Sequence, residues 1–410
     1  MEIVTYVLLF VSLYFEVFLL LSFLERRRGV AIKKGPGAAL LPSVAIVVPC
    51  FNEEDGVRST LLSLLSLRYP SEKIEILLID DGSTDRTVAV AQDLIAATPG
   101  AAERIKIFSK ENGGKHTAMN FALERTETDL IGCLDADSVV DPHALSRIVQ
   151  VLEDSAISAV TPGIHAKEPE TWLQHMQHVE YRISIFNRFM LAALGSAFIT
   201  PGPFSIFRTA VVRELGGWKY GHSTEDMELA LRMQKHGHLI ANAPSATVHT
   251  GIPRTFSGLF RQRVRWTYGF LKNAIDYRAM IFNRSYGNLG LLVLPLALFS
   301  IAAAIYFFCQ MIFSAALSLM TTFTRIELTG TLPSPTLELF YINTSAMWIL
   351  VIVSVALVLA LIMAGSRIGT GSKRPPMGTP LFMLFYSFLV PLWLGAAVVR
   401  AIFNTGVRWR

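Results

Sequence analysis

Four stretches of this chain stay apolar for longer than a globular core element requires: residues 4–24, about 288–317, 339–364 and 380–403. At 1.5 Å per helical residue, each is long enough to cross a hydrocarbon core of about 30 Å. The stretch 288–317 exceeds one crossing and predicts a tilted or broken span. The first stretch carries one charge, Glu16, which is expected to face other helices. Glu25-Arg26-Arg27-Arg28 follows it at once. A signal peptide places its positive charges before the apolar run, so the segment reads as a retained anchor with its C-terminal end in the cytoplasm. Arg367, Lys373 and Arg374 put the loop between the last two stretches on the same side. Arg408 and Arg410 then fall on the opposite side, against the rule.

Between the first and second stretches the pattern changes. After a Gly/Pro/Lys linker at 29–41, short apolar runs alternate with helical periodicity. Strands are predicted at 43–49 (SVAIVVP), 74–79 (IEILLI), 105–108 and 130–134 (LIGCL). Helices are predicted at 57–67, 84–95 and 115–124. This alternation specifies an α/β domain with a mostly parallel sheet covered by helices. Three regions result: an anchor at 1–28, a globular domain at 29–285 and a C-terminal membrane region at 286–410 with about three spans.

Composition agrees with a mixed protein. Of 410 residues, 52% are hydrophobic and 17% charged, too apolar for a disordered or wholly soluble chain. Yet 37 Lys+Arg and 32 Asp+Glu are too many for a bundle of spans alone. Three cysteines build no disulfide framework. The net charge of +5 comes with basic residues clustered beside the spans, which argues against nucleic acid as a partner. A transporter with a regulatory domain would want paired intramembrane charges and inverted repeats. The chain has no such repeat.

The chemistry-bearing residues fall where a parallel sheet binds its ligands, at the carboxyl ends of strands. Asp80-Asp81-Gly82-Ser83 closes the second strand, and Ser83 or Thr84 is placed to cap the next helix. Asp135 and Asp137 follow another strand, two apart and on one side, so they can converge on a hard Mg²⁺ or Mn²⁺ ion. Asn112-Gly113-Gly114-Lys115 opens a helix whose N-terminus favours an anion. Thr224-Glu225-Asp226 opens another helix, either as a cap with acids in the first turn or as the source of a general base. Gln262, Arg265 and Trp266 lie in a basic amphipathic stretch suited to pyrophosphate and sugar, or to a membrane interface. His175 and His178 share a helical face without a matching set of metal ligands, and His222 stands two residues before Thr224.

Taken in order, VVPCFNEE, DDGSTD, NGGKHTAMN, DAD, TED and QRVRW, followed by spans, resemble the glycosyltransferase family 2 membrane synthases of cellulose, chitin, hyaluronan and poly-N-acetylglucosamine. The resemblance covers roughly residues 43–270 and implies a GT-A fold. It implies inverting transfer from a nucleotide sugar, UDP-GlcNAc or UDP-Glc, to a growing polysaccharide. The alternative it leaves is a single transfer to a membrane lipid, a polyprenyl phosphate or glycolipid. Carried over, Pro49, Asn52, Glu53, Asp80 and Asp81 line the nucleoside pocket. Lys115 approaches the nucleotide, Asp135 the ribose or phosphate, and Asp137 holds the metal. Asp226, beside Glu225, is the base, and Gln262, Arg265 and Trp266 hold diphosphate and acceptor. The loop at Pro201–Ser205 (PGPFS) differs from the small-residue or Cys-containing acceptor loop more usual in such synthases. The implied setting is a multi-pass inner-membrane protein with its catalytic domain in the cytoplasm. A narrow bundle implies a homo-oligomer or an export partner.

Overall fold

The computed structural model describes residues 2–26, 41–331 and 346–406. Eight strands form one sheet: β1 (Val44–Cys50), β2 (Ile74–Asp80), β3 (Ile105–Ser109), β4 (Leu130–Cys133), β5 (Val139–Val140), β6 (Ile157–Ala166), β7 (Ile206–Arg208) and β8 (Leu239–Thr250). Their order is β3-β2-β1-β4-β7-β6-β8-β5. The first four are mutually parallel. β7 runs antiparallel to both β4 and β6, and β6 and β8 are parallel.

β1 and β4 are apolar at every position because both faces are covered. Val44, Ile46 and Val48 of β1 point into one core, against the helices Val57–Leu65 and Ala144–Leu152. Ala45 and Val47 point into the other, against Lys115–Leu123 and Glu225–Lys235. This is the two-residue alternation of a strand sandwiched between helices. The chain leaves β1 in opposite directions to reach β2 and β4, so the crevice beyond the carboxyl ends of β1 and β4 lies at a topological switch point.

Two long amphipathic helices, Trp172–Ala193 and Phe256–Asp276, close the domain toward the apolar helices. The first is capped by a reciprocal pair, Thr171 and Gln174. Among the described residues, four helices are long and apolar enough to cross a membrane: Ile3–Glu25, Leu289–Thr329, Ala346–Thr370 and Thr379–Ile402. The second is not broken in two. It runs from a π-helical turn at Leu289–Val293 straight into a helix that ends at Thr329. Its 41 residues measure about 60 Å, twice a hydrocarbon core. The third is described over Ala346–Thr370, and residues 339–345, which the sequence also assigned to it, lie outside the described residues. So do the linker at 29–40, Arg27, Arg28, Arg408 and Arg410. Gly365, near the end of the third apolar helix, sits against the backbone of Arg182, where a Cβ would lie 1.9 Å from the carbonyl oxygen.

Candidate active site

A cavity of about 320 Å³ opens at the switch point. It gathers Pro49 and Glu53 after β1, Asp81 after β2, Asp135 and Asp137 after β4, and Lys115 from its helix. Glu225 and Asp226 enter from the helix they open, and Gln262, Arg265 and Trp266 from Phe256–Asp276. Asn52 and Asp80 are not on the wall. Asn52, at φ 55°, accepts from the Thr84 amide through its side-chain oxygen, and Asp80 accepts from the Ser83 amide. Both shape the loop behind the cavity.

Two local expectations change. The helix after DDGSTD starts at Thr87 rather than residue 84, and Asp85, not Ser83 or Thr84, accepts from the Thr87 amide. The anion at the helix N-terminus after NGGK is the protein's own Asp81, which accepts from the Gly113 and Gly114 amides at 3.1 and 2.7 Å and from Lys110. Gly114 adopts φ 89°, a left-handed value that suits glycine.

Lys115 is the electrostatic centre of the floor. It forms an ion pair with Asp135 and lies 3.7 Å from Glu225. Burial alone would lower its pKa, but these carboxylates hold it well above the usual lysine value. The loop Pro201–Ser205 turns back so that the Phe204 amide donates to the Cys133 carbonyl at 2.6 Å. That places Gly202 directly over the pair: a Cβ there would lie 2.3 Å from Lys115 Nζ and 2.8 Å from each Asp135 carboxylate oxygen.

Asp137 lies half-buried beside Asp135, and its carboxyl pKa is raised, first by desolvation and then by that neighbour. Its Oδ1 accepts from Ser138 at 2.9 Å and from Thr250 at 3.5 Å, while Oδ2 has no hydrogen-bond partner among the described residues. The described residues contain no cluster of three or more metal-ligating side chains. Mg²⁺ and Mn²⁺ are commonly held by one or two carboxylates with substrate phosphates, so this oxygen-only donor set fits such an ion.

Thr224 does not cap its helix. Its hydroxyl donates to the Gly221 carbonyl at 2.7 Å, and Asn273 donates to both groups. Of the acids behind it, Asp226 accepts from the Met227 amide at 2.9 Å through Oδ1. Asp226 is pushed up to about 7, by burial first and by Glu225 second, with Lys115 and Arg265 opposing. Arg265 donates to the Ser223 carbonyl at 3.0 Å. His222 does not line the cavity and pairs with Asp276 at 2.8 Å. His178 is bonded to Arg182 rather than to any metal set.

The sequence reading missed Glu180, Tyr181, Ser184 and Arg188, which line the cavity from Trp172–Ala193. Glu180 accepts from Arg263 at 2.5 Å and from Tyr386 at 2.6 Å, and the Arg263 guanidinium stacks 4.4 Å over Trp266. The spacing of 180, 184 and 188 was the signal: polar residues four apart share one face of a helix.

Comparison with known proteins agrees with this arrangement. Residues 42–269 match the family described as glycosyltransferase-like family 2. Poly-beta-1,6-N-acetyl-D-glucosamine synthase of Staphylococcus aureus (strain MSSA476) is 30% identical over 265 residues, 63% of either chain. The synthase of that name from Staphylococcus epidermidis is 29% identical over 228 residues, 55% of this chain and 54% of the relative. The matches thus span less than two thirds of these relatives. Among solved structures, the mannosyltransferase PcManGT from Pyrobaculum calidifontis, in complex with GDP-Man and Mn²⁺, covers 98% of this chain and 99% of its own, with a TM-score of 0.59 at 18% identity. The fold is therefore GT-A-like, as the motif order implied. With its domain matched over more than half its length, the chain belongs to glycosyltransferase family 2.

Proposed function

We propose that the protein transfers N-acetylglucosamine, with inversion, from UDP-GlcNAc to a growing polysaccharide at a membrane. The observation that carries this reading is the convergence of Asp81, Lys115, Asp135, Asp137, Asp226, Gln262, Arg265 and Trp266 on one cavity with a carboxyl titrating near neutrality. The names of the curated relatives favour the donor and the polymeric product. The division into an anchor at 1–28, a catalytic domain at 29–285 and a membrane region at 286–410 belongs to the same proposal.

In this mechanism Pro49, Glu53 and Asp81 bound the nucleoside, with Asn52 and Asp80 holding the loops. Lys115 stays charged and meets the nucleotide phosphates once they displace part of its pairing with Asp135. Asp137 would hold Mg²⁺ or Mn²⁺, which when bound neutralises the charge developing on the leaving diphosphate. Arg265 and Gln262 orient that group from the other side, and Trp266 offers a face for a sugar. Asp226 takes the proton of the acceptor hydroxyl, a role that a carboxyl near pH 7 suits. Glu225 raises that affinity for a proton and balances Lys115. The departing phosphate needs no proton, so one base is enough.

The test is a donor screen on purified protein in lipid, with UDP-GlcNAc, UDP-Glc and GDP-Man. Nucleoside diphosphate release would be followed and the product sized. A long N-acetylglucosamine polymer is expected. One sugar on a lipid would instead establish the single-transfer reading, and no release from any donor would overturn both.

A further inference from the structure

Four cations line the cavity: Lys115, Arg188, Arg263 and Arg265. Lys115 has Asp135 and Glu225, Arg263 has Glu180, and Arg265 has the Ser223 carbonyl. Arg188 has none of these. Its Nε and Nη2 are fully enclosed and make no hydrogen bond, and no carboxylate pairs with it among the described residues. Burial pushes its guanidinium down to about 10, and only Tyr181 opposes that. A buried guanidinium left unpaired is costly to keep, so a site that retains one is organised for an anion that is not part of the chain.

The position of Arg188 says where such an anion comes from. On the same helix, Phe186 and Met190 flank it in sequence and pack with Leu19 of the first apolar helix and Leu361 and Ala364 of the third. The cavity wall that carries Arg188 is therefore the wall backed by the membrane helices. Ser184, one turn earlier on the cavity face, adds a hydroxyl donor. Guanidinium forks match phosphate oxygens in geometry and charge. On the donor side the carboxylates Asp81, Asp135, Asp137, Glu225 and Asp226 face the cavity, and Lys115 is already paired with Asp135.

We propose that Arg188 forms a phosphate subsite on the membrane-backed wall, and that the first acceptor admitted to the cavity is a lipid carrying a phosphate. The subsite rests on the transferase reading for its name as the acceptor side, but its binding chemistry is tested without any donor. Growth of a chain after the first sugar is compatible with it.

The full-length protein in neutral phosphatidylcholine nanodiscs is titrated calorimetrically with dodecyl phosphate, dodecanol and inorganic phosphate, against empty nanodiscs. Dodecyl phosphate is expected to bind at least tenfold more tightly than either control. Arg188→Gln loses that tenfold, Arg188→Lys keeps part of it, and UDP affinity is unchanged in both. A structural role is checked separately: Arg188→Met is expected to melt at the same temperature as the wild type or higher, because it removes an unpaired buried charge. Equal binding of dodecyl phosphate to wild type and Arg188→Gln overturns the subsite. So does a fall in UDP affinity, which would move Arg188 to the leaving group, or a lower melting temperature for Arg188→Met. Inorganic phosphate binding as tightly as dodecyl phosphate overturns the lipid source. A protein that releases UDP but ignores dodecyl phosphate keeps the transferase reading and loses this one. A protein that binds dodecyl phosphate through Arg188 but releases no UDP does the reverse.

Discussion

Asp226 and Gly202 show what single residues do here, and they differ in how visible they were in the sequence. Asp226 sits in a recognisable motif, but its ionisation was not readable: burial and Glu225 together lift it to about 7 against the pull of Lys115 and Arg265. Replacing it by Asn is expected to lower turnover by about 10²–10⁴-fold, the range for loss of a positioned base, with UDP affinity retained in a binding titration. The pH profile carries the same sign. The base must be ionised, so kcat/KM should fall about tenfold per pH unit below about 7 and level off above it, and a flat profile from pH 5 to 8 would remove Asp226 from the role. Stability runs the other way. A carboxyl held above its ordinary pKa keeps its proton better when folded, so this group's contribution is full at acid pH and lost as pH rises through 7. The Asn variant should therefore gain melting temperature relative to wild type at pH 8 but not at pH 4. Asp137 belongs to the same scale: excess EDTA is expected to stop UDP release and added Mn²⁺ to restore it. Gly202 carried no signal beyond a PGP turn. Its importance comes from its place over the Lys115–Asp135 pair, made across the fold, where a side chain would collide. Gly202→Ala displaces only flexible side-chain ends, so donor KM should rise severalfold while the melting temperature stays nearly unchanged.

Elements were legible in proportion to how continuous their apolar pattern is. β1, β2, β3 and β4 appeared within a residue of their observed ends: β1 and β4 are unbroken apolar runs buried on both faces, and β2 and β3 are broken only by Glu75 and Lys106 before their polar last residues. β6 and β8 were missed for the opposite reason. β6 contains Pro162-Gly163, where its register with β8 shifts, and β8 carries Pro244 and alternates exposed with buried positions. β5 and β7 have two and three residues, too few for any period. The helix Phe256–Asp276 was read as a basic amphipathic stretch, but not as a clamp. Arg265, Asn273 and Asp276 on it fix the Ser223 carbonyl, the Gly221 carbonyl with the Thr224 hydroxyl, and His222 in turn. This ties the helix Phe256–Asp276 to the start of the helix bearing Asp226. The other coupling is between Trp172–Ala193 and the third apolar helix at Gly365. There a Cβ meets backbone, which cannot swing aside, so Gly365→Ala must push the helices apart and should cost about 1–3 kcal/mol by overpacking. Gly395→Ala, where nothing lies within 4 Å, is the control and should leave the melting temperature level or raise it. Equal melting of the two variants would mean that this contact does not hold the domain to the apolar helices.

The same contact bears on how the whole molecule sits in a membrane. Among the described residues four helices are long and apolar enough to cross, and hydropathy alone made that legible; the side on which the domain lies is a matter of charge and attachment. The end of the third apolar helix, from Gly365 to Gly369, abuts Arg182 and His165 of the globular domain. Arg367 lies in the last turn of that helix, and the chain that continues from it carries Lys373 and Arg374 before the fourth helix starts at Thr379. The segment bearing the positive charges is therefore on the domain's side, by packing rather than by rule. Positive loops stay in the cytoplasm, so packing and charge together support the proposal that the domain lies on that side. A cysteine at Ser372, which is exposed in the loop, reports this directly. Cys50 and Cys133 are buried, so the background comes from Cys309 and is removed by Cys309→Ser. In intact cells a membrane-impermeant maleimide should leave Ser372→Cys unlabelled, and permeabilisation should make it label fully. Labelling from outside intact cells would turn the domain outward, cut it off from a cytoplasmic nucleotide-sugar pool, and remove the setting in which a UDP-sugar transferase works.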